Sequence, residues 1–252
     1  MDDIKCGVDI DLQEFLNSGF HLKNHLADYL HLNTTELDKR LLSGSKDLAA
    51  LHPGSVDPGK VISFYESEVG CAHLIELAAW HLGSADYIAD TLRLQKLYST
   101  GKVLDFGGGI GTHSLFAAAL PEVEKVWYVD LNPSNREFVS SRANALGLSK
   151  KISIHRDLES TGEVLFDTII CLDVLEHLSD PSSQLLEFAN RMTSEGTSLM
   201  NWYFFKGQDG EYPFHFDDPA LVQKFFITLQ AKFIEVFHPL LITTRAYKHF
   251  PQ

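Results

Sequence analysis

Apolar positions follow two different periods along the chain, and the change comes near residue 99. Before it they recur at helical spacing: Leu22, Leu26, Tyr29 and Leu30 share one face of a segment from 22 to 32, and Ala72, Ile75, Ala79 and Leu82 share one face of another from 64 to 82. A shorter helix is predicted from Leu12 to about Asn17, stopping near Gly19. Asn33 and Thr34 read as the N-cap of a helix that ends at Gly44, and a loop with HPG and DPG turns then reaches Lys60. Gly83 closes the apolar helix, and a last one, from 86 to 98, follows it. No period-2 run interrupts this stretch, so residues 1–98 read as a helical appendage.

After residue 99, short apolar runs alternate with helical patterns. Strands are predicted at 103–106, 125–130, 151–156, 166–172, 198–204, 233–238 and 242–248, with helices from Thr112, Pro133, Pro181 and Pro219 between them. Such alternation is the signature of a parallel sheet covered on both faces. The last two runs are joined across Pro239 by a turn so short that it permits only a hairpin. The expectation for residues 99–252 is therefore an α/β, doubly wound, seven-stranded sheet with one antiparallel strand.

Composition narrows the function. With 252 residues and 44% hydrophobic content the chain can fill a core. No apolar run approaches the roughly 18 residues of a membrane span, and the N-terminal MDDIKCGVDIDL is acidic where a signal peptide is basic, so the expected location is cytoplasmic. Cys6, Cys71 and Cys171 have no C-x-x-C spacing and suggest neither disulfides nor structural zinc. A net charge of −13 repels a phosphate backbone, which disfavours nucleic acid as a partner. His21 and His25 have metal-ligand spacing but no third ligand, and read as surface histidines.

The chemistry concentrates where the first strand ends. VLDFGGGIGT, residues 103–112, breaks from an apolar strand into four glycines and then a helix, which places unpaired N–H groups and a helix N-terminus at one point. A dinucleotide fingerprint G-x-G-x-x-G counted from Gly107 would need glycine where Thr112 stands. What stands here is D-x-G-x-G-x-G, through Asp105, Gly107, Gly109 and Gly111, and it resembles motif I of the class I S-adenosylmethionine-dependent methyltransferases. The resemblance implies a Rossmann-like sheet of order 3-2-1-4-5-7-6 and a cofactor whose methionine part lies over this turn. Asp130, followed by Leu131 at the tip of the second strand, would accept the ribose hydroxyls. Asp157 would meet the adenine amino group, with Leu158 on the ring and Leu172 against the adenosine.

A second stretch, CLDVLEHLSDP, resembles the ubiquinone-biosynthesis O-methyltransferases and the small-molecule methyltransferases around them. Asp173, Glu176 and His177 stand at i, i+3 and i+4, so one helical turn would put them on one face. In some quinone-type relatives this trio is a divalent-metal site. One turn supplies three ligands with awkward geometry, so a divalent metal stays open as a cofactor and none is assigned to the trio. The loop KGQDGEYPFHFDDP carries Tyr212, Phe214, His215 and Phe216 and should reach over the substrate mouth. Tyr65, His73, Trp80, His81 and Tyr87 are candidate pocket residues from the appendage, expected to shape the substrate site.

The function expected is transfer of a methyl group from S-adenosylmethionine to an O, N or C nucleophile of a small molecule, leaving S-adenosylhomocysteine. His177 and His215 are the candidate bases, since imidazole titrates near neutrality. Two alternatives stay open: use of the same cofactor for other chemistry, such as a natural-product cyclisation or rearrangement, or a non-catalytic interaction module of the same fold.

Overall fold

The computed structural model describes residues 10–51, 61–208 and 212–250. Seven strands, β1 (Gly101–Phe106), β2 (Val123–Val129), β3 (Ile152–His155), β4 (Phe166–Cys171), β5 (Met192–Met200), β6 (Phe233–Phe237) and β7 (Arg245–His249), form one sheet in the order β3-β2-β1-β4-β5-β7-β6. Strands β1 to β5 pair in parallel, and β7 runs antiparallel to both β5 and β6. Six strands thus point one way and one the other, in the predicted order. The winding reverses between β1 and β4, which opens a crevice beyond their carboxyl ends, where the glycine turn lies.

Helices α7 (Thr112–Ala119), α8 (Pro133–Ala145), α9 (Pro181–Arg191) and α10 (Pro219–Lys232) connect the strands. The last three begin with proline at the first position. Asn132, Asp180 and Asp218 cap them, accepting from the backbone N–H groups of Ser134, Ser183 and Leu221. On one sheet face Val103, Val126 and Tyr128 pack with Leu115, Phe116 and Val139 of α7 and α8. On the other, Leu104 and Ile169 pack with Leu185, Phe188 and Phe225 of α9 and α10.

Ahead of the sheet come α1 (Leu12–Ser18), α2 (Leu22–Leu30), α3 (Thr34–Ala50), the single turn α4 (Val61–Ser63), α5 (Gly70–Gly83) and α6 (Ala85–Tyr98). Phe15 and Phe20, with Ile88 and Leu92 of α6, join the core cluster of β1 and α7, so α1 and α6 share the core of the sheet. Leu22, Leu26, Leu37 and Leu74 cluster with Phe138 of α8 and Ile110 of the glycine turn.

Several boundaries depart from the sequence reading; β7 starts at Arg245 and not at 242, so residues 238–244 join it to β6 in place of a short turn at Pro239. Helix α3 runs through Gly44 to Ala50, because this glycine is a packing notch: a Cβ there would lie 3.2 Å from Ile75 Cγ2 and 3.3 Å from the Glu76 backbone of α5. The apolar helix expected from 64 to 82 is broken, with a π-helical turn over Phe64–Glu68 and a restart at Gly70, whose φ is +48°. Strand β5 begins at Met192 and leaves the sheet after Met200. Phe166 pairs with Met192 but Thr168 with Thr197, so the SEG turn expected before the strand is a bulge within it. The HPG and DPG turns fall in 52–60, outside the described residues.

Candidate functional site

The glycine turn fixes the centre of the crevice. Gly107, Gly109 and Gly111 have φ of +70°, +52° and +76°, a region that side-chain-bearing residues avoid. Gly108 is required by contact: a Cβ there would meet the Tyr128 ring at 2.6 Å, while Tyr128 Oη donates to the Gly109 carbonyl at 2.7 Å. The expectation of unpaired amides needs correction. Gly107 and Gly108 N–H donate to Val129 O, Gly109 N–H to Asp130 Oδ2 and Gly111 N–H to Gly108 O. The turn therefore spends these four donors on holding its own shape, and offers a ligand its side-chain-free surface.

Two buried acids flank it. Asp105, 3% exposed, accepts from Ser114 Oγ at 2.6 Å, and burial pushes its carboxyl from 3.8 up to about 7. Asp130 accepts from Gly109 N–H, Asn132 N–H and Asn135 Nδ2, and burial outweighs these bonds to lift it to about 6. Three of the roughly four acceptor positions of its carboxylate are used. One acceptor position remains for a donor from a ligand. Neither acid forms an ion pair among the described residues.

Arg142 supports the turn from beneath. Fully buried, it donates to the carbonyls of Ile110, Gly19 and Phe20, tying the end of α1 to the glycine turn, and burial pulls its guanidinium down to about 9. The sequence did carry this signal: Arg142 shares the apolar face of α8 with Phe138 and Val139 at helical spacing.

At the carboxyl end of β3, Leu158 is buried at 4%, and Asp157 accepts from Ser160 N–H at 2.9 Å and from Arg156 at 2.6 Å. Arg156 also reaches Glu66, so an exposed bridge joins the π-helical turn to the end of β3. Leu131 and Leu172 are half-buried beside β2 and β4.

Beyond β4 the structure corrects the expected helical face. Asp173 has φ of +53°, and Leu175–His177 forms a single 3₁₀ turn, so Asp173, Glu176 and His177 do not line one face. Asp173 is clamped to Asn201 instead, which accepts from its N–H and donates to its carboxylate. It meets solvent inside a concavity, where the surrounding protein raises its carboxyl. Glu176 is 1% exposed and raised to about 8, first by burial and then by Asp173. His215 comes in from the loop after β5, its ring centroid 4.7 Å from that of His177. Phe216 N–H donates to Glu176 O at 2.7 Å and pins that loop to the 3₁₀ turn.

The appendage supplies the opposite wall. Tyr65 Oη lies 3.3 Å from His177 Nδ1, and His73 meets Asn135, so both expected pocket residues reach the site. The sequence reading missed Glu76, raised to about 7 by burial and then by Asp173. His81 bonds Thr112 beneath the turn, whereas Trp80 and Tyr87 pack together near Thr243. Burial, then His215, holds His177 down at about 3, and burial also lowers His215.

Comparison with known proteins places this crevice in a family. A methyltransferase domain model matches residues 79–208, just over half of the chain. A protein of Synechococcus sp. described as uncharacterized is 29% identical over 122 residues, 46% of this chain and 28% of that protein, so the match covers about a quarter of its length. The mitomycin 7-O-methyltransferase MmcR is similar over 86% of this chain and 68% of its own, with 13% identity and a TM-score of 0.58. A putative rRNA-methylase from Clostridium thermocellum is similar over 66% of this chain and 97% of its own, with 14% identity and a TM-score of 0.51. At these identities the two structures share the fold. The matched segment runs from α5 past β5 and includes the glycine turn, both of its acids and the 3₁₀ turn, and by that match the chain belongs to the methyltransferase domain family, with the class I architecture.

Proposed function

We propose that the chain transfers the methyl group of S-adenosylmethionine to an O, N or C nucleophile of a small molecule and releases S-adenosylhomocysteine. The observation that carries this reading is the pair Asp105 and Asp130, buried on either side of a side-chain-free turn and without an ion pair among the described residues. Asp105, on the methionine side, suits a ligand that brings its own positive charge, as the ammonium and sulfonium of this cofactor do, while the remaining acceptor position of Asp130 suits a ribose hydroxyl. Gly107, Gly109 and Gly111 with Asp105 would hold the methionine part, Asp130 and Leu131 the ribose, Asp157, Leu158 and Leu172 the adenosine. When bound, the cofactor supplies a methyl carbon activated by a sulfonium.

The chain's own task is to align the nucleophile, exclude water and take a proton where the nucleophile carries one. A nitrogen whose conjugate acid titrates near 3 holds no proton at neutrality, so His177 orients the acceptor by its lone pair and His215 serves as the base. Tyr65, His73 and the loop after β5 shape the acceptor pocket, as the appendage was expected to do. The net charge of −13 supports a small-molecule acceptor over a nucleic acid.

Calorimetric titration with S-adenosylmethionine and S-adenosylhomocysteine, with NAD as control, tests the reading. Both should bind, and Asp130→Ala should weaken both at least tenfold. A folded chain that binds neither would overturn it.

A further inference from the structure

The fold assembles a different trio from the one the sequence lines up: Asp173 turns away to Asn201, and His215 comes in beside Glu176 and His177. One donor atom from each of Glu176, His177 and His215 lies within 4.8 Å of the others. Glu176 is 1% exposed, its Oε2 has no hydrogen-bond partner, and no lysine or arginine pairs with it among the described residues. An orphaned carboxylate oxygen in the interior is costly unless a cation or a proton meets it.

The histidines supply the other donors that a cation would need. His177 Nδ1 lies 3.1 Å from the Phe214 carbonyl, and His215 Nδ1 lies 3.1 Å from the Phe205 carbonyl. A carbonyl can only accept, so each Nδ1 carries the ring proton and each Nε2 keeps its lone pair. Metal-bound histidines are held in this way, with the second ring nitrogen donating to a backbone carbonyl. Two neutral imidazoles and an acid on one small surface make a nitrogen–oxygen donor set of borderline softness.

We propose that Glu176, His177 and His215 bind one divalent transition-metal ion, with zinc as the first candidate. Tetrahedral ligand atoms about 2.1 Å from one ion stand about 3.4 Å apart, so donor atoms now within 4.8 Å of one another draw together by up to about 1.4 Å on binding. Three protein ligands leave an open position. With both Nε2 lone pairs on the ion, His177 and His215 act through it: its open position, in place of the free imidazoles, holds the acceptor oxygen beside the methyl donor, and that use rests on the methyl-transfer reading, whereas ion binding itself does not.

The chain, stripped by dialysis against chelator, would be titrated calorimetrically with Zn²⁺ and with Mg²⁺. The expected result is one zinc per chain, no saturable magnesium binding, and at least tenfold weaker zinc binding in both Glu176→Gln and His215→Ala, with His25→Ala unchanged. Cobalt(II) in place of zinc should give visible bands that both site variants lose. Glu176→Gln keeps the shape of the buried side chain and remains informative if His215→Ala unfolds. No saturable zinc binding, or binding unaltered in Glu176→Gln, would overturn the site. S-adenosylmethionine titrated into the same preparation separates the two readings: cofactor binding without zinc binding overturns the metal alone, and zinc binding without cofactor binding overturns methyl transfer alone.

Discussion

Alanine at Gly107 would act on the two halves of the crevice at once. Its Cβ would lie 2.4 and 3.1 Å from the two Cγ atoms of Val174 and 3.4 Å from Val174 Cβ, at a φ of +70°. The left-handed backbone costs an alanine about 1–2 kcal/mol. Forcing the valine aside adds about 1–3 kcal/mol, so Gly107→Ala should lower stability by about 2–5 kcal/mol. Val174→Ala alone, which trims a half-buried side chain, should cost about 1 kcal/mol. The double variant keeps the backbone strain but loses both close contacts, leaving the two Cβ atoms in ordinary contact. It should therefore be less destabilised than the sum of the singles by about 1–3 kcal/mol. Urea unfolding of the four proteins measures this cycle. Val174 leads directly into the turn of Glu176 and His177, so the same relief should appear in cofactor affinity. Additivity within about 0.5 kcal/mol would refute the reasoning, since it would mean that Val174 does not seat on the glycine turn.

Two further expectations concern buried charge. Asp105 titrates near 7 in the fold and near 3.8 outside it, so its share of stability is whole below pH 3.8 and is lost as pH rises through 7, by up to about 4 kcal/mol. Urea midpoints of the ligand-free chain should therefore fall between pH 5 and pH 8, and more steeply than in Asp105→Asn; parallel curves would remove Asp105 as the cause. Arg142→Met would leave the carbonyls of Gly19, Phe20 and Ile110 without their buried donor, which should cost about 3–5 kcal/mol. Hydrogen exchange should then rise first in α1 and at the glycine turn, and equal rises throughout the sheet would show that the link is not local.

The sequence by itself determined the sheet and the turn at its centre. Alternating strand and helix patterns after residue 99 and a proline-led start for three helices set the class of sheet, and the resemblance of the glycine motif implied its order 3-2-1-4-5-7-6. Gly107, Gly109 and Gly111 were legible for a local reason, the positive φ that each adopts. The tertiary structure alone decided what depends on pieces distant in the chain. Gly44 looked like a helix stop until α5 packed against it, and the SEG turn became a bulge when β5 paired on both of its sides. The amides of the glycine turn looked free until Val129 and Asp130 took them. Glu176 and His177 have His215 as their neighbour, not Asp173, because the loop after β5 folds back onto the end of β4. Spacing reports what one helix or strand brings together, whereas contacts between separate loops are set by how the packed core aims their ends.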